Sequence, residues 1–142
     1  MKSARTLITI CLLFTAASTF AQTVSQRLMK VKIPFAFAVG DVTLPDGEYL
    51  VFTVTPERSI RIVSSDGKHS AIVYTLPNYA SAPSPKSRLV FHRYGHEYFL
   101  GQVWTAGQNV GRNPISSKRA MEIASSGGTP ETLTVIALAD HR

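Results

Sequence analysis

Cysteine is nearly absent from this sequence, since Cys11 is the single one among 142 residues. A lone thiol excludes a disulfide framework and any cysteine-rich zinc module. Long apolar runs are scarce too: the one present lies near the N-terminus, which excludes a membrane protein with several spans. Charged residues reach only 17% and hydrophobic residues 44%, a balance that excludes a fully disordered chain. The length suits one ordinary domain and is too short for two.

The apolar run has the three parts of a secretory signal peptide. Lys2 and Arg5 form a positive region, residues 7–17 form the apolar region, and small residues follow up to position 21. The run is shorter than the roughly 20 residues that a transmembrane helix needs. We therefore expect residues 1–21 to be a signal peptide cleaved before Gln22, which predicts a secreted or periplasmic protein. An uncleaved N-terminal anchor is the alternative.

Export would leave residues 22–142 as a single β-rich domain. Cys11 would be removed with the signal, and Ile10 before it does not fit a lipidated cysteine, so the mature chain would depend on its core alone. Without Lys2 and Arg5 it has 13 basic and 9 acidic side chains. These charges are scattered, which is typical of a solvated surface with a weak preference for anionic partners.

Alternation of apolar and polar residues predicts about seven strands. They cover residues 29–37, 48–54, 59–65, 68–76, 87–94, 97–104 and 132–138. Pro34 cannot donate a ladder hydrogen bond, which places the first strand at a sheet edge or a bulge. Residues 77–85 and 105–113 are predicted loops, and residues 117–124 are the only predicted helix. The pattern favours an all-β fold, either a single small antiparallel β-barrel or a sandwich, with one short helix before the last strand.

Two glycine turns predict the pairing of four strands. Asp66-Gly67 places Ile62 opposite Ala71 and Ile60 opposite Val73. Gly95-His96 places Phe91 opposite Leu100 and His92 opposite Phe99. In that second register, an apolar set would share one face of the sheet and belong mainly to the core: Leu89, Phe91, Arg93, Tyr98, Leu100, Gln102 and Trp104.

Catalytic motifs are not visible in the sequence. None of the four histidines forms a helical metal-binding pair, no G-x-S-x-G is present, and residues 107–111 lack the lysine of a phosphate loop. A metal site built from His92, His96 and Glu97 is conceivable, but a turn separates the histidines, and a polar hairpin tip is the simpler interpretation. We therefore predict no enzymatic activity, no metal and no cofactor.

Basic and aromatic residues do cluster on one hairpin, where they could stack on a sugar or a base. These candidate ligand-binding residues are His92, Arg93, Tyr94, His96, Tyr98 and Trp104. Nucleic acid is not an expected partner, because an exported protein rarely meets it.

Two stretches of the chain resemble a family of proteins. Residues 33–51 read IPFAFAVGDVTLPDGEYLV and residues 89–104 read LVFHRYGHEYFLGQVW. They are similar to the patterns IPFxFxVGxxxLPAGxYxV and LVFHRYGxxYFLxxVW of an uncharacterised family of small exported proteins from Acidobacteria and related soil bacteria. Asp46 stands where alanine is common. The resemblance covers most of the mature chain and implies export and a single β-rich domain, but no activity, cofactor or catalytic residue.

Two functions follow as hypotheses. The first is an exported non-catalytic β-domain that binds an envelope or extracellular partner, with a weak preference for an anionic one and no membrane span after signal cleavage. The alternative is a lipocalin-like β-barrel that binds a small apolar ligand, since an eight-stranded barrel can enclose one small molecule. An enzyme whose catalytic groups come together only in the fold is the third hypothesis.

Overall fold

The computed structural model describes residues 25–54 and 58–139, so the predicted signal peptide lies outside the described residues. Within these ranges no helix is long and apolar enough to cross a membrane. The described part of the chain forms ten strands and one helix: β1 (Ser25–Ile33), β2 (Phe37–Val39), β3 (Val42–Leu44), β4 (Gly47–Val54), β5 (Ser59–Ser64), β6 (Ser70–Tyr79), β7 (Arg88–Tyr94), β8 (Glu97–Trp104), β9 (Val110–Pro114), α1 (Lys118–Ser125) and β10 (Glu131–Ile136).

The strands form one sheet in the order β1-β4-β5-β6-β9-β8-β2-β3, and β8 also pairs with β7, which in turn pairs with β10. The predicted β-rich class is confirmed, but the predicted number of seven strands is too low. The sheet is also not closed by strand pairing. The chain just beyond β10 nevertheless contacts β1, because the Leu138 N–H donates to the Lys30 carbonyl at 2.9 Å. Pro34 follows β1 directly and has no N–H with which to extend a ladder.

The additional strands come from segments with weak local signals. The first predicted strand, residues 29–37, is interrupted, because β1 ends at Ile33 and β2 begins at Phe37. Strand β2 pairs with β3 and, in parallel, with β8, so the sheet is not purely antiparallel. Both predicted loops were partly wrong: β6 continues to Tyr79, and Pro77 lies opposite Arg112 of β9. The sequence of β9 (VGRNP) has low strand propensity, which its long-range pairing overrides.

Both predicted hairpins are confirmed in their register. Ile62 pairs with Ala71 and Ile60 with Val73 between β5 and β6. Phe91 pairs with Leu100 between β7 and β8. Short turns of this kind determine register locally, because the backbone twist of the turn must match that of its two strands.

A bulge at Gly101 changes the second half of the β7–β8 hairpin. Phe91 lies opposite Leu100, but Val90 lies opposite Gln102, so Gly101 has no partner in β7. An extra residue moves every later side chain to the other face of the strand. The prediction that Gln102 and Trp104 share a face with Phe91 was therefore wrong.

One face of the sheet, here termed the inner face, carries the hydrophobic core. Phe37 contacts Tyr49 and Phe91 edge to face, with ring centroids 5.2 and 5.4 Å apart. The Tyr49 hydroxyl donates to the Pro45 carbonyl at 2.6 Å. The buried residues of this core are Met29, Val31, Ile33, Phe37, Val39, Leu44, Tyr49, Val51, Ile60, Ile62, Ala71, Val73, Leu89, Phe91, Leu100 and Val103.

Helix α1 is placed where the sequence predicts the helix. The Ser117 hydroxyl caps its N-terminus by accepting a hydrogen bond from the Ala120 N–H at 3.1 Å. None of the eight residues of α1 is buried. Because a short helix is unstable in isolation, its contacts with the rest of the domain must hold it. One of them is the ion pair between Arg119 and Glu97, at 3.1 Å.

Candidate functional site

A groove of about 510 Å³ separates α1 from the outer face of the sheet; we term it the helix groove. Its walls are mainly apolar. The large apolar or aromatic side chains that line it are Leu76, Tyr94, Phe99, Leu100, Ile115 and Met121. Pockets of this size and character bind small molecules or single side chains of a partner.

His92 provides an unusual polar group in the helix groove. Its Nδ1 is buried and has no hydrogen-bond partner among the residues that the structure describes. The ring packs directly against the backbone at Gly101, where an added Cβ would collide with the imidazole. The glycine that creates the bulge therefore also provides the space for His92.

The six predicted ligand-binding residues do not form a single site. Only His92 and Tyr94 line the helix groove, where Tyr94 meets Phe99 edge to face at 5.9 Å. His96 is exposed at the β7–β8 turn and lines a different depression, of about 250 Å³, together with Tyr98.

Arg93 and Tyr98 engage each other instead of facing the helix groove. The Arg93 guanidinium carbon lies 5.6 Å from the centre of the Tyr98 ring, and its Nε donates to the Gly95 carbonyl at 2.7 Å. Tyr98 stacks on Phe35 with a centroid separation of 4.0 Å. These rings pack against the core, so they are not free stacking platforms.

Trp104, the last of the six, is enclosed by its neighbours and is only 5% exposed. The Arg88 guanidinium carbon lies 5.4 Å from the indole centre, Nε1 donates to the Gln102 side-chain oxygen at 2.8 Å, and the ring packs on Gly111. This indole stabilises the outer face and offers little surface to a ligand.

The structure reveals a surface that the sequence analysis missed, here termed the apolar surface. Its five large apolar side chains are each more than half exposed: Ile72 (63%), Tyr74 (71%), Leu76 (61%), Ile115 (51%) and Met121 (53%). The first three alternate along the outer face of β6, the Ile115 N–H donates to the Tyr74 carbonyl, and Leu76, Ile115 and Met121 meet in the helix groove. A signal was present, because residues 71–76 of β6 include apolar side chains on both faces of a strand.

Few ionisable side chains line the helix groove. Among the lining residues that the structure describes, only His92 and Tyr94 have one, and no carboxylate lines the groove beside the imidazole. Glu97, in the neighbouring depression, is held by Arg119, and this contact raises the pKa of the guanidinium. In residues 25–54 and 58–139 no three histidine, cysteine or acidic side chains are grouped so that they could hold a metal ion.

No protein-family model, curated protein or solved structure matches this chain.

Proposed function

We propose that the chain is an exported, non-catalytic β-domain that binds a protein partner in the cell envelope or outside the cell through the apolar surface. The observation that carries the proposal is the exposure of Ile72, Tyr74 and Leu76 on consecutive outward positions of a strand that lies inside the sheet. Contiguous apolar patches on a folded domain mark interaction sites more often than chance exposure does.

Energetics favour a macromolecular partner. Removing a large apolar side chain from water contributes about 1.5–3 kcal/mol when its burial is complete, and this surface offers five such side chains. They lie on β6, on α1 and on the chain between β9 and α1, so a partner that contacts all five must span several elements. Arg61 of β5 lies opposite Ile72 and is exposed. A partner with an apolar centre and acidic groups at its rim would fit this arrangement.

Site-specific photo-crosslinking tests the proposal. Benzoylphenylalanine at Tyr74 should give a discrete adduct with one partner in cells of the source organism. Tyr79 is a matched control, because it is the same residue type on the same strand and is equally exposed (74% against 71%), but its position is odd-numbered and belongs to the other face. Leu76→Asp should abolish the Tyr74 adduct while leaving the thermal midpoint of the protein nearly unchanged.

The outcomes separate the alternatives. Adducts of equal yield from positions 74 and 79, or from neither position, would contradict the proposal. An adduct between two copies of this chain would replace the partner with self-association and would also contradict it.

Export and the absence of catalysis belong to the same proposal. Export is supported by the three-part pattern of residues 1–21 and by the family resemblance, and N-terminal sequencing of the secreted product should begin at Gln22. The non-catalytic role is supported by the lone imidazole of His92, which no carboxylate of the described groove residues accompanies.

A lipocalin-like barrel that binds a small ligand is the second candidate function. Its barrel form is supported by the hydrogen bond between Leu138 and Lys30, which links β1 to the chain just beyond β10. Its ligand site is supported by an open cavity of about 920 Å³ at one end of the inner face, between Thr53, Thr75 and Val110. Most of the inner face is filled by side chains, so a ligand would occupy that end and not the centre.

A further inference from the structure

The inward-facing side chains of the sheet change from apolar to polar at the end where this cavity lies. Along β6 the inward residues Ala71 and Val73 belong to the core, and the next inward residue is Thr75. Along β4, Thr53 follows Val51 in the same way. The two threonines line the cavity of about 920 Å³, which we term the mouth. Its volume lies within the range of small-molecule sites.

Thr75 carries a polar atom that the fold does not satisfy. The residue is 6% exposed, and its Oγ1 has no hydrogen-bond partner in residues 25–54 or 58–139. By contrast, the Thr53 hydroxyl donates to the Gln26 carbonyl at 3.4 Å. Folded proteins pair nearly all of their buried hydroxyls, because an unpaired one is destabilising. A ligand acceptor atom beside Thr75 would remove that penalty.

The charges that line the mouth have one sign. Arg58, whose carbonyl accepts the Thr75 N–H at 2.6 Å, and Arg112 both line it, whereas no aspartate or glutamate does so among the described residues. Arg112 takes part in another interaction, so Arg58 is the guanidinium considered for the ligand. Guanidinium groups favour carboxylate, sulfonate and phosphate oxygens through charge-assisted hydrogen bonds.

Apolar side chains complete the mouth beside these polar groups. Tyr79 is 74% and Val110 40% exposed, and Leu28 of β1 is partly buried against the core. All three line the mouth. We infer that the mouth binds an anionic amphiphile, with its acidic group at Thr75 and Arg58 and its apolar tail or ring on Leu28, Tyr79 and Val110. The inference rests on the second candidate function and names its ligand class.

Two dyes that differ by one sulfonate test the ligand class. The probes are 8-anilinonaphthalene-1-sulfonate and its uncharged parent N-phenyl-1-naphthylamine, and binding is followed by their fluorescence with the purified protein. The sulfonate should bind with a Kd at least about tenfold lower than that of the neutral dye. Arg58→Gln should raise the Kd of the sulfonate about tenfold and change that of the neutral dye less than about twofold. Lys32→Gln is the control, because it removes one positive charge from an exposed residue of β1 that does not line the mouth, and it should change neither.

Thr75→Val supplies a readout that a merely structural role would not give. Valine has nearly the same shape but no hydroxyl, so the variant should bind the sulfonate more weakly and yet unfold at a higher temperature. A lower thermal midpoint would show that the hydroxyl has a partner in the fold, which contradicts the inference.

The remaining outcomes distinguish the ligand class from the function. If both dyes bind with equal affinity and Thr75→Val weakens the binding of both, the mouth is a small-ligand site, but the inference that its ligand is anionic is overturned. An unchanged Kd in both Arg58→Gln and Thr75→Val would place the dye outside the mouth and overturn the inference. If neither dye binds the folded protein, verified by near-ultraviolet circular dichroism, the inference and the second candidate function both fail.

Discussion

Replacing Gly111 by alanine should destabilise the domain through Trp104. A Cβ at position 111 would lie 2.8 Å from indole atoms Cδ2 and Cε3 and 2.9 Å from Cε2, whereas carbon atoms pack at about 3.5–4.0 Å. The ring cannot move away freely, because it would leave both the Arg88 guanidinium and the hydrogen bond to Gln102. Overpacking of this kind costs about 1–3 kcal/mol, and losing the Arg88 contact adds about 0.5–1 kcal/mol. We expect a loss of about 2 kcal/mol in the free energy of unfolding.

The single tryptophan of the sequence makes the measurement direct. Urea unfolding followed by Trp104 emission should show a midpoint lowered by about 1 M for Gly111→Ala, given a slope of about 2 kcal/mol per M. The native emission spectrum should also shift, because the ring changes its surroundings. A midpoint within about 0.2 M of that of the wild type would refute the steric argument.

A double-mutant cycle identifies the collision partner. In a Trp104→Phe background, followed by circular dichroism, the smaller ring leaves room for the new methyl group, so Gly111→Ala should cost less than about 0.5 kcal/mol. Additive effects of the two substitutions would show that the cost arises from the backbone of β9 and not from the indole.

Three further variants test the turns and the titrating groups. Gly95 has φ +61°, so Gly95→Val should lower stability by about 2 kcal/mol, and an unchanged thermal midpoint would contradict the turn. Burial raises the pKa of Tyr49 in the folded chain. Just above about pH 10, the Tyr49 phenol therefore ionises in the unfolded chain but not in the folded one, so the free energy of unfolding falls as the pH rises further. Tyr49→Phe should reduce this decline, measured as urea midpoints at about pH 9–11. Hydrogen bonds from the Ser64 hydroxyl and the Lys68 N–H lower the pKa of Asp66 in the folded chain. The contribution of Asp66 to stability is complete only well above the unfolded pKa of about 3.9 and is lost as the pH falls through the folded pKa, so Asp66→Ala should flatten the acid decline in urea midpoints.

Features that depend on short-range chemistry were predictable from the sequence. The hairpin at Asp66-Gly67 and the first half of the hairpin at Gly95 have the predicted register, because a short turn determines the pairing of its two strands without reference to the rest of the fold. The helix also begins at Lys118, one residue after the start of the predicted range 117–124.

Features that depend on distant partners were not predictable. Strands β2 and β3 have three residues each, too few for alternation to be recognised. Strand β9 pairs with β6 over a long stretch of chain, since the paired residues Asn78 and Gly111 are more than thirty positions apart in the sequence. The bulge at Gly101 forms because the pairing with β7 passes from Leu100 to Gln102 and leaves Gly101 without a partner. The sequence shows a glycine inside a strand, but not whether it bends, bulges or makes room for a neighbour.

The six candidate ligand-binding residues are separated in the structure for a related reason. Residues gathered on one hairpin are divided between two faces by the period of the strand, so Tyr94 and Tyr98 ended on different sides of the sheet. Ile72 and Leu76 belong to a predicted strand, but their residue types do not show whether a second layer of structure covers that face. In the structure both are exposed.

Strands β1 and β10 lie close together without pairing as strands, so few interactions hold this part of the domain together. The hydrogen bond from Leu138, two residues beyond β10, to Lys30 links β1 to this part of the chain, whereas β1 and β4 share eight residue pairs. Parting β1 from β10 therefore breaks far fewer interactions than global unfolding, and such local openings dominate native-state amide exchange. The Leu138 amide should exchange with solvent deuterium well before the amides of β4 and β5. Transient parting of β1 from β10 would also let molecules too large for the mouth reach the interior without unfolding the chain.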